Sequence, residues 1–254
     1  MYRGLIAGLI LLFFCPLISE AAEVELNDII TALETPFKGQ TKSTEQIHDF
    51  SADFLQESHI ASIGRTQHGQ GVVHFKFITS VTQESPSAKF RWEYLKPSVQ
   101  EIISDGQTMW VYLPENRQVI ESDISQLNAQ QGENPVTFLS GLGNLSRDFS
   151  VNWGSPKRME NGGYRLQLEP RKESKLIQQI EIIVSDEAIK IWLKKHKSGN
   201  IFPIISTLVT DQNGNRTAIE FRDVQVNQQL TDQLFSFKRP DGVELVDPAG
   251  QMGF

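Results

Sequence analysis

The chain has 254 residues, 39% hydrophobic and 22% charged, which is globular composition and excludes a disordered chain or a polytopic membrane protein. Its 24 Lys and Arg against 31 Asp and Glu leave a formal charge of -7, so affinity for phosphate backbones has no electrostatic footing and no nucleic-acid partner is expected. With 18 Gly, 11 Pro and no fixed-period repeat, collagen-like, low-complexity and solenoid classes also fall away.

The chain opens with Met1-Tyr2-Arg3, an apolar run from Gly4 to Ile18 and then Ser19-Glu20-Ala21-Ala22. A short basic start, an apolar core below the ~20 residues of a span, and small residues before a cut after Ala21 describe a secretory signal peptide over residues 1–21. The alternative is an uncleaved anchor. Cys15, the one cysteine, follows Phe13-Phe14 instead of a small residue and is not placed for lipidation. Loss of the signal would leave a single domain, 22–254, without disulfide, thiol nucleophile or thiolate ligand.

Val24, Leu26, Ile29, Ile30 and Leu33 fall at helical spacing, and Pro36 stops that helix. Thr44 to His48 suggests a further helical turn. The period then changes to two. Phe50, Ala52 and Phe54 alternate with polar neighbours, as do Val73, Phe75 and Phe77, and then Phe90, Trp92 and Tyr94. Further strands are expected over 99–104, 108–113, 117–123, 164–168, 176–184, 189–193, 202–210, 217–226 and 234–238. Turn chemistry separates them, as in Ser104-Asp105-Gly106, Asn161-Gly162-Gly163 and Asp211-Gln212-Asn213-Gly214. A mainly β fold with about eleven strands must curl on itself, giving a full or partial antiparallel barrel. Between strands, Asn134-Pro135 can start a short helix with Phe138, Leu139, Leu142 and Leu145 on one face. It either plugs the end of the sheet or, with Gly141 and Gly143, moves as a lid.

The motifs of enzymes are missing: there is no H-E-x-x-H, G-x-S-x-G, Walker loop or EF-hand spacing, so no catalytic residue, metal or cofactor is expected. His68 and His74 on one strand would lie about 20 Å apart. Lys194-Lys195-His196-Lys197 reads as a solvated hairpin end, and Asp105 and Asp211 as turn residues whose carboxylates cap backbone amides. The aromatic stripe is more informative. Phe90, Trp92 and Tyr94, with Phe75 and Phe77 a strand away, give a curled sheet an apolar concave face able to take acyl chains at about 0.8 kcal/mol per buried CH₂. Which face of 108–113 turns inward, that of Trp110 or that of Met109 and Val111, alternation leaves open.

Three blocks carry a family resemblance. They are Phe50-Ser51-Ala52-Asp53-Phe54-Leu55-Gln56; Phe90-Arg91-Trp92-Glu93-Tyr94 with Pro97, then Ile102 through Tyr112 (IISDGQTMWVY), Pro114 and Gln118-Val119; and Phe235 through Leu245 (FSFKRPDGVEL). In this order they resemble the LolA family of periplasmic outer-membrane lipoprotein carriers. The resemblance implies a periplasmic, monomeric, non-enzymatic protein with an unclosed antiparallel β-barrel and an α-helical lid. Its cargo would be acylated lipoproteins, received from an inner-membrane ABC lipoprotein-release complex and passed to an outer-membrane receptor lipoprotein. Lipid-contacting residues would be Phe75, Phe77, Phe90, Trp92 and Tyr94 on the sheet and Phe138, Leu139 and Leu142 on the lid. The family commonly has Arg-Pro before the aromatic strand, the Arg holding the lid; here Ser85 precedes Pro86. A carrier of another amphiphile and an envelope lipoprotein-sensing regulator share this half-barrel and stay open; a secreted hydrolase lacks a nucleophile and base.

Overall fold

In the computed structural model, residues 23–38, 46–78, 87–124, 138–174, 176–195 and 201–246 are described. The expected signal peptide, the start of the lid segment at Asn134-Pro135 and Ser85-Pro86 lie outside them. Six strands follow one another as hairpins: β1 (Asp49–Ile60), β2 (Arg65–Ile78), β3 (Ser87–Lys96), β4 (Gln100–Ser104), β5 (Thr108–Leu113) and β6 (Gln118–Asp123). A second run comprises β7 (Phe149–Arg158), β8 (Tyr164–Pro170), β9 (Gln179–Val184), β10 (Ile204–Thr210) and β11 (Arg216–Val226). Antiparallel pairing of β1 with β11 joins the runs, with Phe50 opposite Val226 and Phe54 opposite Phe221. Finally β12 (Glu244–Val246) returns to lie parallel to β6. The product is one open, curled sheet of twelve strands with β12 and β7 at its edges.

Period-two patterning decides which face is inside. In β2 the buried residues are Gly71, Val73, Phe75 and Phe77, and in β9 they are Ile180, Ile182 and Val184, each alternating with half-exposed neighbours. Turn chemistry fixes the register between them. The Asp105 carboxylate accepts hydrogen bonds from the amides of Gln107 (2.9 Å) and Thr108 (2.8 Å), while Gly106 takes the left-handed φ of +95° that the turn needs. Asp211 does the same for Asn213 and Asn215, at 2.8 Å each. Both aspartates therefore cap backbone, as their turn positions indicate.

Three expected elements differ, and one strand was not expected. Residues 189–193 are not a strand but the middle of a helix, Asp186–Lys195; Ser185 accepts the Ala188 amide at its start, acids occupy its first turn and lysines its last. Ile191 and Leu193 alternate with Ile189, yet the buried positions are Ala188, Ile189 and Trp192, a helical spacing. Residues 234–238 are not a strand either: Asp232–Phe235 form a 3-10 turn crossing the outer face, held by Asp232 to Lys76 (2.8 Å) and Lys89 (3.2 Å). Phe237 then lies against Trp110 and Tyr112. Gln46–His48 have no regular structure, and β7 is a strand that the sequence reading lacked.

Close approach of strands is most severe at Gly71. A Cβ there would stand 1.8 Å from the Glu93 carbonyl oxygen and 3.0 Å from the Phe54 ring, at the point where the β2–β3 register shifts. Neither a backbone carbonyl nor a packed ring moves cheaply. Gly71→Ala is expected to destabilise the fold by about 3 kcal/mol, measured by urea unfolding, with little change in m-value.

Candidate functional site: an aromatic interior under a helical cover

The inner face of β1, β2, β3 and β11 carries a continuous set of rings. Phe50 and Phe75, cross-strand neighbours, stack in parallel with centroids 5.2 Å apart. Phe75 continues to Phe90 at 5.5 Å, and Trp92 meets Phe54 edge-on at 4.9 Å. Phe221 from β11 lies against Phe50 and Trp92. Phe75, Phe90 and Trp92 are each 0% exposed. Tyr94, last on the stripe, is half-buried and donates its phenol O–H to Gln56 Oε1 at 2.8 Å; burial pushes that phenol above its ordinary pKa. The stripe therefore turns from apolar to polar along its length.

Among the described residues, three helices cover this face. The first, α1 (Leu26–Glu34), buries Ile29 and Leu33 and leads through a Thr35–Phe37 turn, so that Phe37 reaches Phe77 (4.7 Å) and Phe202 (6.2 Å). The lid segment is a 3-10 helix, Leu139–Asn144, running into one α-turn, α2 (Leu145–Asp148). It packs on α1, on the Thr35–Phe37 turn and on β3, so that Leu139 and Leu142 are buried. Phe138 lies against Phe149 at 6.0 Å. The helix that replaces the expected strand, now α3 (Asp186–Lys195), packs on α1 and adds Ile189 and Trp192.

A carboxylate ties this cover together. Glu34 closes α1, is 3% exposed, and has one oxygen 2.6 Å from the Ser146 amide and the other 2.6 Å from Lys38 Nζ. It satisfies one of the free amides at the start of α2, a buried and charge-assisted contact between two cover elements.

All eight residues singled out in the sequence lie in or against one hydrophobic core: Phe75, Phe77, Phe90, Trp92, Phe138, Leu139 and Leu142 are buried in it, and Tyr94 packs on its margin. The face left open in β5 is settled. Met109 and Val111 turn inward, while Trp110 turns outward and donates its indole N–H to Glu121. The reading from sequence passed over Phe37 and Phe202, which lie outside strands and carry no period, and Phe221, a single ring on its strand. Phe50 and Phe54 carried the period-two signal and could have been included.

The two histidines of β2 do not meet: His68 stands 3.8 Å from Glu57, and His74 shares a 2.7 Å hydrogen bond with Ser51. Among the described residues no group of three or more His, Cys, Asp or Glu is placed to hold a metal ion. A depression of about 480 Å³ lies on the sheet's outer side, lined by Leu55, His68, Arg165, Glu181, Leu208 and Glu220 among others. With three acids (Glu57, Glu181 and Glu220) and an arginine in that wall, it is less suited to hydrocarbon than the ring-lined interior.

An open antiparallel half-barrel with a helical cover over an aromatic face defines the class. Residues 45–238 match the family model described as "Outer membrane lipoprotein carrier protein LolA", and this chain belongs to that family. It is similar to the outer-membrane lipoprotein carrier proteins of Hahella chejuensis (26% identity, 81% of this chain and 85% of that one) and Chromobacterium violaceum (29%, 77% and 80%). The carrier protein of Alkalilimnicola ehrlichii aligns over nearly the full length, 98% of this chain and 95% of its own, at 25% identity.

Cutting the Glu34 tie should loosen the cover without unfolding the sheet. Glu34→Ala is expected to raise hydrogen exchange at the Ser146 amide by about tenfold or more, the value of a lost charge-assisted bond, with β1–β3 protection unchanged. Unaltered exchange at Ser146 would show that packing alone holds the cover.

Proposed function

We propose that the protein carries acylated lipoproteins between membranes by housing their acyl chains against the ring-lined face of β1–β3, beneath the cover formed by α1, the 139–148 segment and α3. Membership of the carrier family and an aromatic interior closed by short helices support this reading; the second is the observation that carries it. Phe75, Phe77, Phe90, Trp92 and Tyr94 line the chains from the sheet, and Phe138, Leu139 and Leu142 from the cover. The protein performs no chemistry. It works in the periplasm, delivered there by a cleaved signal peptide over residues 1–21, taking cargo from an inner-membrane ABC release complex and yielding it to an outer-membrane receptor lipoprotein.

The energetics suit a carrier. Each methylene buried is worth about 0.8 kcal/mol, so two long chains supply a large gross driving force. Entry of a chain, however, costs the self-packing of the interior. Phe50, Phe90 and Trp92 already pack on Phe75, and the 139–144 segment already packs on β3 with Leu142 buried. Net affinity is the difference between the two, and a difference can be small enough for release to a better-preformed acceptor. Within the cover the 139–148 segment is the short part, a 3-10 stretch and one α-turn whose Ser146 amide is tied by the Glu34 carboxylate.

Mature protein mixed with a diacylated lipopeptide is expected to form a one-to-one complex by native mass spectrometry, and none with the deacylated peptide. Phe90→Glu places a carboxylate where sheet and cover meet; it should weaken lipopeptide binding at least tenfold while strand circular dichroism persists. Equal binding of acylated and deacylated peptides, or full binding by folded Phe90→Glu, would contradict the assignment.

A further inference from the structure

Three buried side-chain polar atoms among the described residues have no hydrogen-bond partner: Trp92 Nε1, Ser122 Oγ and Arg165 Nε. Arg165 satisfies its other nitrogens, with NH1 donating to the Ser155 carbonyl at 3.0 Å and NH2 lying 3.2 Å from Met159 Sδ. Ser122 is half-buried near the end of β6. Trp92 is different. It stands mid-strand on the aromatic face, fully buried, with Val73 and Ile102 as its cross-strand partners and the rings of Phe54, Phe75 and Phe221 around it.

A buried donor without an acceptor is costly, and buried indole N–H groups ordinarily find a partner. The neighbouring ring faces accept such a hydrogen only weakly. Phenylalanine, already used throughout this interior (Phe50, Phe54, Phe75, Phe90 and Phe221 among others), would fill apolar space without that cost. The unmade bond lies inside the packed interior assigned above to acyl chains, and the proposed cargo's acyl chains are attached through carbonyl groups. A carbonyl brought in with the chains is therefore an acceptor delivered to a donor that, among the described residues, the aromatic interior leaves unpaired.

We propose that the Trp92 indole N–H is a specificity-determining donor for an acyl carbonyl of the cargo, so that the interior recognises acyl esters and not hydrocarbon alone. This rests on the carrier reading and deepens it. The bond would be made only in the loaded state. It would favour chains seated to the depth at which the ester reaches mid-face, and would discriminate against amphiphiles that bring chains without a carbonyl.

The test compares two lipopeptides identical except at the linkage: one with an S-(2,3-diacyloxypropyl)cysteine, the other with the matching 2,3-dialkoxypropyl ether. The chains have equal length, and the ether lacks the carbonyl. The wild-type protein is expected to bind the ester about fivefold more tightly, the worth of one neutral hydrogen bond. Trp92→Phe is expected to bind both with the affinity that wild type shows for the ether. Independently of whether that variant folds, the Trp92 indole ¹⁵N–¹H resonance of wild-type protein should move downfield with the ester and not with the ether. Equal affinities together with equal indole shifts would overturn the proposal and leave the carrier reading standing. Failure of both probes to bind would overturn both.

Discussion

The contact of Phe75 with Phe50, Phe90 and Trp92 is the constraint on which the rest of the structure depends. An open sheet has no second sheet to bury its inner face, and a face of this size left in water would cost on the order of 25 cal/mol for each Å² exposed. The rings therefore pack on one another, on Phe221 from the far run of strands and on Phe37 from the cover. That self-packing joins β1 to β11 in the middle of the sheet and gives the helices something to close upon. It also sets the terms on which a guest can enter, because every chain admitted displaces a contact already made.

Polar interactions act at the edges of this core. Asp49 is buried and gathers the turn after β11 by accepting from the amides of Gln228 (2.6 Å) and Leu230 (3.2 Å). On the outer side, Arg91 is held between Glu93 and Glu101 and also donates to the Leu234 carbonyl, which lays the C-terminal segment over β3. These ties stiffen the sheet. Glu34, by contrast, links two elements of the cover to each other.

Much of this was legible in the sequence, because a half-buried strand has to alternate. Phe90, Trp92 and Tyr94 could belong only to a strand with one apolar face, and Asp105-Gly106 only to a tight turn. What escaped notice had physical reasons. The Ile189, Ile191 and Leu193 alternation masked a helix whose true signals were Ser185, two acids and two terminal lysines. β7 carries Gly154 and Pro156, which interrupt a strand pattern and are tolerated there because the strand is an edge. β12 has three residues and pairs in parallel with a strand far away in sequence, which no local pattern announces. Phe37 and Phe202 enter the aromatic core from segments without regular structure or from a single 3-10 turn, where no periodicity points inward.

The central claim is that acyl chains occupy the aromatic interior and not the outer depression between Leu55 and Leu208. Photo-crosslinking tests it most directly: a diacylated lipopeptide carrying a diazirine near the chain terminus is bound, irradiated and mapped by peptide mass spectrometry. Crosslinks to Phe75, Phe90, Trp92, Leu139 or Leu142 are the predicted result. Crosslinks confined to Leu55, Met159, Ile183 or Leu208 would contradict the account, because they would place the chains on the opposite face of the sheet.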